Sequence, residues 1–239
     1  MNQFASAVRS AVLSEPEVTR LASLRRSTSL FTQGQIADSL FFIEEGMVKT
    51  TRTNARGGRI ILTIRGAGDL VGEEAAAEGE SVYYSEAEIL TNATVFRIPR
   101  DVQSRCVASS PEWARAFVSY LISRNLALAE KVELLCLHDV EYRILHYLAE
   151  LSGLVKPAEN GGGYQLPITQ LELADLIGAT RETTSTTLNQ LERRGLIRLS
   201  RRMLTIQSPE QLRVAAQARA ATEKVPNVKN HDDVEVGTS

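Results

Sequence analysis

One stretch limits the possible folds of this chain more than any other: residues 168–197, ITQLELADLIGATRETTSTTLNQLERRGLI. Thr169 followed three residues later by Glu172 forms a capping box, in which hydroxyl and carboxylate satisfy amides that a helix start leaves open. Leu173, Ala174 and Ile177 then share one side of the helix. Gly178 supplies the turn, because a residue without a Cβ enters the left-handed region at least cost. Thr180 caps a second helix, with Thr184, Leu188 and Leu191 on its inner side and Arg181, Glu182, Ser185, Thr186 and Asn189 on its outer side. Two capped helices, a tight turn and an outward polar face are the layout of a helix-turn-helix, whose second helix enters the major groove of duplex DNA. The alternative is an ordinary helical hairpin. Against it stand Thr183, Thr184, Thr186 and Thr187, β-branched residues that helix propensity alone does not explain. On a DNA face, threonine offers a hydroxyl to phosphates and a methyl to thymine.

The residues that follow carry positive charge. Arg193, Arg194, Arg198, Arg201 and Arg202 fall within ten positions, and two short apolar pieces, Leu196 to Leu199 and Leu204 to Gln207, read as a strand pair turning at Ser200 to Met203. This makes a basic wing able to lie along phosphates. The formal net charge of −2 hides the asymmetry: residues 165–213 hold seven arginines against five acids. DNA responds to the local surface, so a modest basic patch is enough.

Upstream, residues 2 to about 25 read as helix, interrupted at Ser14 and Pro16. Between Arg26 and Pro99 short apolar pieces alternate with turns at Gln33-Gly34, Glu45-Gly46, Gly57-Gly58 and Gly66-Ala67-Gly68-Asp69, the pattern of a small antiparallel barrel or roll. Ser110, Pro111 and Glu112 open a long helix reaching Leu135, a cap, a first-turn proline and an acid at the positive helix end. Phe117, Leu121, Leu128, Val132 and Leu135 recur along it at heptad-like intervals, which favours a dimer seam over a helix that merely covers the roll. A further helix is expected over 138–152, a flexible loop over 157–163 and a disordered tail from about Ala221. The expected class is therefore α+β in four parts: a roll with N-terminal helices (1–109), a dimerisation helix (110–137), a winged helix-turn-helix (138–220) and the tail (221–239). No apolar run approaches the roughly 20 residues that span a bilayer, and the N-terminal residues lack a leader pattern, so a cytoplasmic protein without membrane contact is expected.

This order of parts resembles the bacterial regulators related to the cyclic-AMP receptor protein and the fumarate–nitrate respiration regulator. The resemblance rests on Gly72-Glu73, Asp139-Val140 and Thr180-Arg181-Glu182-Thr183, and spans about Leu30 to Gln207. It implies a homodimeric, effector-controlled transcription factor that binds a pseudo-palindromic site on double-stranded DNA and touches RNA polymerase, most simply as an activator. Arg181 and Glu182 match two of the three base-reading positions of the cyclic-AMP receptor protein, suiting guanine and the cytosine amino group. The third position is Thr186, so the operator should differ there. Thr169, Thr180, Thr183, Ser185, Asn189, Arg201 and Arg202 complete the expected DNA-binding set.

The implied effector pocket comprises Gly72, Glu73, Tyr84, Ser85 and Leu128. Cyclic-AMP binders carry Arg-Ser where this chain has Tyr84-Ser85, and hydroxyl residues where it has Leu128 and Ala129. A cyclic phosphate would be buried without its guanidinium, so an effector other than cyclic AMP, or none, is expected. Glu73 could instead cap turn amides. Iron–sulfur sensing is excluded because the first cysteine is Cys106. Haem ligation is disfavoured because His138 and His146 lie beyond the long helix, and a redox role for Cys136 near the seam is the lesser reading. A cupin-like metalloenzyme would need histidines between Arg26 and Pro99, and all three (His138, His146, His231) lie outside that span. No cofactor, metal or catalytic residue is expected.

Overall fold

A computed structural model describes residues 3–159, 162–200 and 203–222. The chain opens with α1 (Gln3–Ala11) and then lays down β1 (Thr19–Leu24), β2 (Ser29–Phe31), β3 (Ser39–Glu45), β4 (Val48–Thr53), β5 (Arg59–Arg65), β6 (Leu70–Val71), β7 (Glu86–Ile89) and β8 (Ala93–Pro99). These strands form two four-stranded antiparallel sheets, ordered β1-β8-β3-β6 and β2-β7-β4-β5. Between them lies a core that includes Phe31, Leu40, Phe42, Val48, Ile89 and Val95. This is the expected roll.

The helix expected over residues 2 to 25 is corrected here. Only its first part is helical, and Thr19–Leu24 pairs with β8 instead. The apolar spacing misled for a definite reason. Val18, Leu21 and Leu24 sit three apart, as on a helix, but the β1–β8 register shifts between Leu21 and Leu24, and Ser23 adopts φ 57°. The bulge puts Leu21 and Leu24, three apart, on one face of the strand.

After the roll come α2 (Arg100–Ser109), α3 (Pro111–Leu137), α4 (Val140–Ser152), β9 (Tyr164–Leu166), α5 (Gln170–Ile177), α6 (Arg181–Arg193), β10 (Ile197–Ser200), β11 (Met203–Ile206) and α7 (Pro209–Thr222). Ser110 caps α3 by accepting from the Trp113 amide at 3.2 Å, with Pro111 in the first turn as expected. The first half of α3 lies on the roll, where Phe4 of α1 stacks on Tyr120 at 4.2 Å and Trp113 meets Phe117 at 5.5 Å. Phe117 is therefore removed from the expected seam: it is 7% exposed and belongs to the roll core. The exposed stripe runs instead through Val118, Leu121, Ile122, Asn125, Leu128 and Val132, with Leu135 half-buried.

A second core joins Leu145 and Leu148 of α4, Leu173 and Ile177 of α5, Leu188 and Leu191 of α6, and Leu212 of α7. Met47, Ile61 and Leu90 of the roll belong to it too, so the C-terminal module is packed directly on the roll. The wing has three strands, ordered β10-β11-β9, one more than the sequence pattern disclosed. Ala221 and Thr222 are the end of α7, and the rest of the expected tail lies outside the described residues.

Candidate nucleic-acid interface

The capping box at α5 is complete. Thr169 Oγ1 accepts from the Glu172 amide at 3.1 Å, and Glu172 Oε2 accepts from the Thr169 amide at 2.9 Å. Gly178 then turns the chain with φ +63°, and a Cβ there would lie 2.9 Å from Leu135 Cδ2, so neither backbone nor space favours a side chain. Thr180 caps α6 by accepting from the Thr183 amide at 3.2 Å. Thr184, Leu188 and Leu191 are buried, while Arg181, Glu182, Thr183, Thr186 and Asn189 are exposed and Ser185 is half-buried.

Thr184 is buried, as its place on the inner side of α6 predicts, and Thr187 is buried with it. Thr184 Oγ1 donates to the Thr180 carbonyl at 2.8 Å and Thr187 Oγ1 to the Thr183 carbonyl at 2.9 Å. Both hydroxyls are thus bonded back onto the preceding turn. Thr183 and Thr186 remain on the outer face. A concave surface of about 660 Å³ links the start of α5, the outer face of α6 and the wing, with Thr169, Arg181, Asn189 and Ser200 on its wall. Among the described residues neither Arg181 nor Glu182 forms an ion pair. In the basic run, Arg193 and Arg198 are exposed, but Arg194 is tied to Glu141 of α4. Arg201 and Arg202 lie outside the described residues.

The acids of α5 face the roll, which sequence reading did not foresee. Glu172 receives Arg26 at 2.7 and 2.8 Å and Lys49 at 2.9 Å, and Asp175 receives Arg59 at 2.7 and 2.8 Å. Burial pushes the Glu172 carboxyl up, but the Thr169 amide and the Lys49 ammonium outweigh it and hold the group below the ordinary carboxylate value. Lys131 of α3 donates to the Ile61 carbonyl in β5 and the Leu176 carbonyl in α5, both at 2.8 Å. Partners 45 to 146 residues apart leave no local signal.

Of the expected effector-pocket residues, Gly72, Glu73, Tyr84 and Ser85 lie on the roll and Leu128 on α3. Gly72 has φ +83°, and a Cβ there would approach the Ser39 carbonyl at 3.0 Å and the Tyr83 ring at 3.1 Å. Glu73 is in an ion pair with Arg65 of β5, whose guanidinium also meets the Leu70 carbonyl and the Tyr120 hydroxyl. Burial opposes the Arg65 charge, yet Glu73 and Tyr120 beside it raise its pKa above the ordinary arginine value. The amide capping considered for Glu73 falls to Glu74, which accepts from the Tyr84 amide at 3.1 Å. Ser85 is buried. Tyr84 is exposed with Arg52 stacked over its ring at 3.7 Å, and Leu128 belongs to the exposed stripe of α3.

His138 stacks on Tyr142 at 3.8 Å, and His146 lies 3.6 Å from Glu130. Cys106 is buried and Cys136 exposed, both as free thiols. Among the described residues no cluster of three or more His, Cys, Asp or Glu could hold a metal ion, and no helix is long and apolar enough to cross a membrane.

Residues 142–215 match the family model of the Crp-like helix-turn-helix domain, and residues 21–110 match that of the cyclic nucleotide-binding domain. The CRP-like cAMP-activated global transcriptional regulator of Mycobacterium tuberculosis (strain H37Rv) is 30% identical over 196 residues, which cover 81% of this chain and 86% of that protein. The cAMP-activated global transcriptional regulator CRP of Salmonella typhimurium (strain LT2) is 27% identical over 170 residues, covering 71% of this chain and 81% of its own length. Among solved structures, a CRP-family transcriptional regulator from Thermus thermophilus superposes with a TM-score of 0.70 at 27% identity, covering 83% of this chain and 96% of the other.

Proposed function

The chain belongs to the CRP/FNR family of DNA-binding transcription regulators, and from that premise we propose that it works in the cytoplasm as a homodimer reading a two-fold symmetric promoter site. The observation that carries this reading is the outer face of α6. Arg181 and Glu182 stand exposed at its N-terminal end, among the described residues without an internal ion pair. A charge pair left unsatisfied on a rigid helix suits bidentate contacts to guanine and to the cytosine amino group. Thr183, Thr186 and Asn189 continue that face, and Thr169 and the wing arginines Arg198, Arg201 and Arg202 would engage the phosphates.

The exposed stripe of α3 supports the dimer. Val118, Asn125 and Val132 recur every seven residues, with Leu121 or Ile122 and Leu128 between them, an a/d seam with a polar residue at one a position that would fix register. Two copies related by this seam would present two copies of α6 about one helical turn, ~34 Å, apart. By family analogy the bound dimer contacts RNA polymerase and activates transcription.

Cyclic AMP is not the expected effector. Glu73 is already neutralised by Arg65 from within the roll, and Tyr84 stands where a phosphate-binding arginine would be needed. The regulator answers to another effector or binds DNA without one. DNase footprinting on genomic fragments captured by the protein tests the whole reading. The expected footprint is two symmetric half-sites separated by one helical turn and protected without added cyclic AMP. Protection of a single half-site would remove the dimer, and protection only with cyclic AMP would remove the account of the roll.

A further inference from the structure

Strand β5 and helices α3 and α4 enclose a cavity of about 250 Å³ that is separate from the DNA-facing surface. Leu62, Leu134 and Leu151 give it apolar walls; Arg124 and Lys131 bring cations to it, beside the His146 imidazole and the carboxylates of Asp69, Glu130 and Glu150. The His146 imidazole lies 3.6 Å from Glu130, and Arg124 already has an acid, Asp69 at 3.7 Å. Lys131 does not. It is 7% exposed, and among the described residues no carboxylate pairs with it. Its ammonium gives two of its three N–H donors to the Ile61 and Leu176 carbonyls, and it lies 5.1 Å over the ring of Tyr147, another wall residue. Arg124 Nε is buried with no partner.

A buried charge without a counter-ion is costly and gains most from an anion that reaches it. At about 30 Å³ per non-hydrogen atom the space takes on the order of eight such atoms. We propose that this cavity binds a small monocarboxylate of about six carbons in all, its carboxylate held by Lys131 and Arg124 and its tail by the leucines.

The two carbonyls on Lys131 belong to the roll and to the last turn of α5. Neutralising the ammonium would therefore bear on the joint that seats the DNA-reading helices. Only this regulatory meaning rests on the function proposed above; the binding itself does not.

Titration calorimetry of the full chain with hexanoate, in the absence of DNA, tests the site. Expected is one hexanoate per chain with a dissociation constant of about 1 mM or tighter. Hexanol, with the same tail and no charge, should bind at least about tenfold more weakly. Lys131→Met should weaken hexanoate by a similar factor, and Leu154→Trp, which fills a half-exposed part of the wall, should remove binding while leaving Lys131 in place. No heat from hexanoate, equal binding of hexanol, or undiminished binding by either variant would overturn the proposal. The alcohol comparison and Leu154→Trp decide it even if Lys131→Met does not fold. A protein that binds hexanoate but no DNA would refute the proposed function and leave this site standing.

Discussion

Helices α5 and α6 lie side by side, each capped by a threonine, and they spend their charges in opposite directions. The acids of α5 turn inward: Glu172 takes Arg26 and Lys49, and Asp175 takes Arg59, all from the roll. The charged pair that opens α6, Arg181 and Glu182, turns outward and among the described residues has no ion pair. One helix therefore fixes where the module sits, and the other keeps its hydrogen-bonding capacity for a partner. Substitutions in α5 should register in stability, and substitutions on the outer face of α6 in DNA affinity.

The sharpest break in that division is Glu172→Ala. It removes the second half of a capping box, worth about 1 kcal/mol, and one member of a buried pair, worth about 3 kcal/mol at the low end because Lys49 keeps Glu88 at 2.9 Å. A loss of about 4 kcal/mol in urea unfolding is expected, and Glu172→Gln should restore the capping part alone. The folded carboxyl titrates below the ordinary value of 4.5. Its contribution is thus complete above the unfolded pKa and fades as pH falls through the folded one, so the deficit of Glu172→Ala should narrow in acid. A deficit that stays constant down to pH 3 would place the effect in packing.

Lys131 probes the same joint from α3 with the opposite sign. Burial pushes its ammonium down from 10.5 to about 8. Between those values the folded chain binds fewer protons than the unfolded chain, so stability rises with pH. The penalty is full below pH 8 and gone by pH 10.5. Relative to Lys131→Met, the wild-type chain should gain about 3 kcal/mol between pH 7 and 10.5 in parallel urea titrations, a difference in which the other titrating groups cancel. A gap that ignores pH would mean that water or an unseen anion already solvates the ammonium.

What the sequence disclosed and what it hid divide along a similar line. The capping box, the turn at Gly178, the inner leucines of α6, the wing strands and the helix start at Ser110 are local, each set by residues within a turn or two, and all stand in the structure. Strand β1 hides behind a bulge that gives Leu21 and Leu24 a helix-like spacing. Heptad spacing gives Phe117 a seam position because it cannot reveal that α1 covers one side of α3. Arg65 reaching Glu73, and Arg26 and Lys49 reaching Glu172, join residues whose proximity exists only after the roll closes. The inner place of Thr184 is legible from helical spacing, whereas the bonds that Thr184 and Thr187 make back onto the helix are not.

The smallest predicted effect is also the most specific to the outward helix. Arg181→Ala removes a guanidinium that is exposed and, among the described residues, free of any ion pair, so unfolding stability should stay within about 0.5 kcal/mol of wild type. Operator affinity should drop by about 1–3 kcal/mol per half-site, and the preference should relax at one base pair of each half-site and no other. Competition binding with operators changed singly at each position reads both quantities. Because a phosphate contact would weaken all operators about equally and flatten the salt dependence, the two modes separate in one data set. A uniform loss across every operator would make Arg181 a backbone contact and move base reading along α6 to Glu182, Thr186 and Asn189.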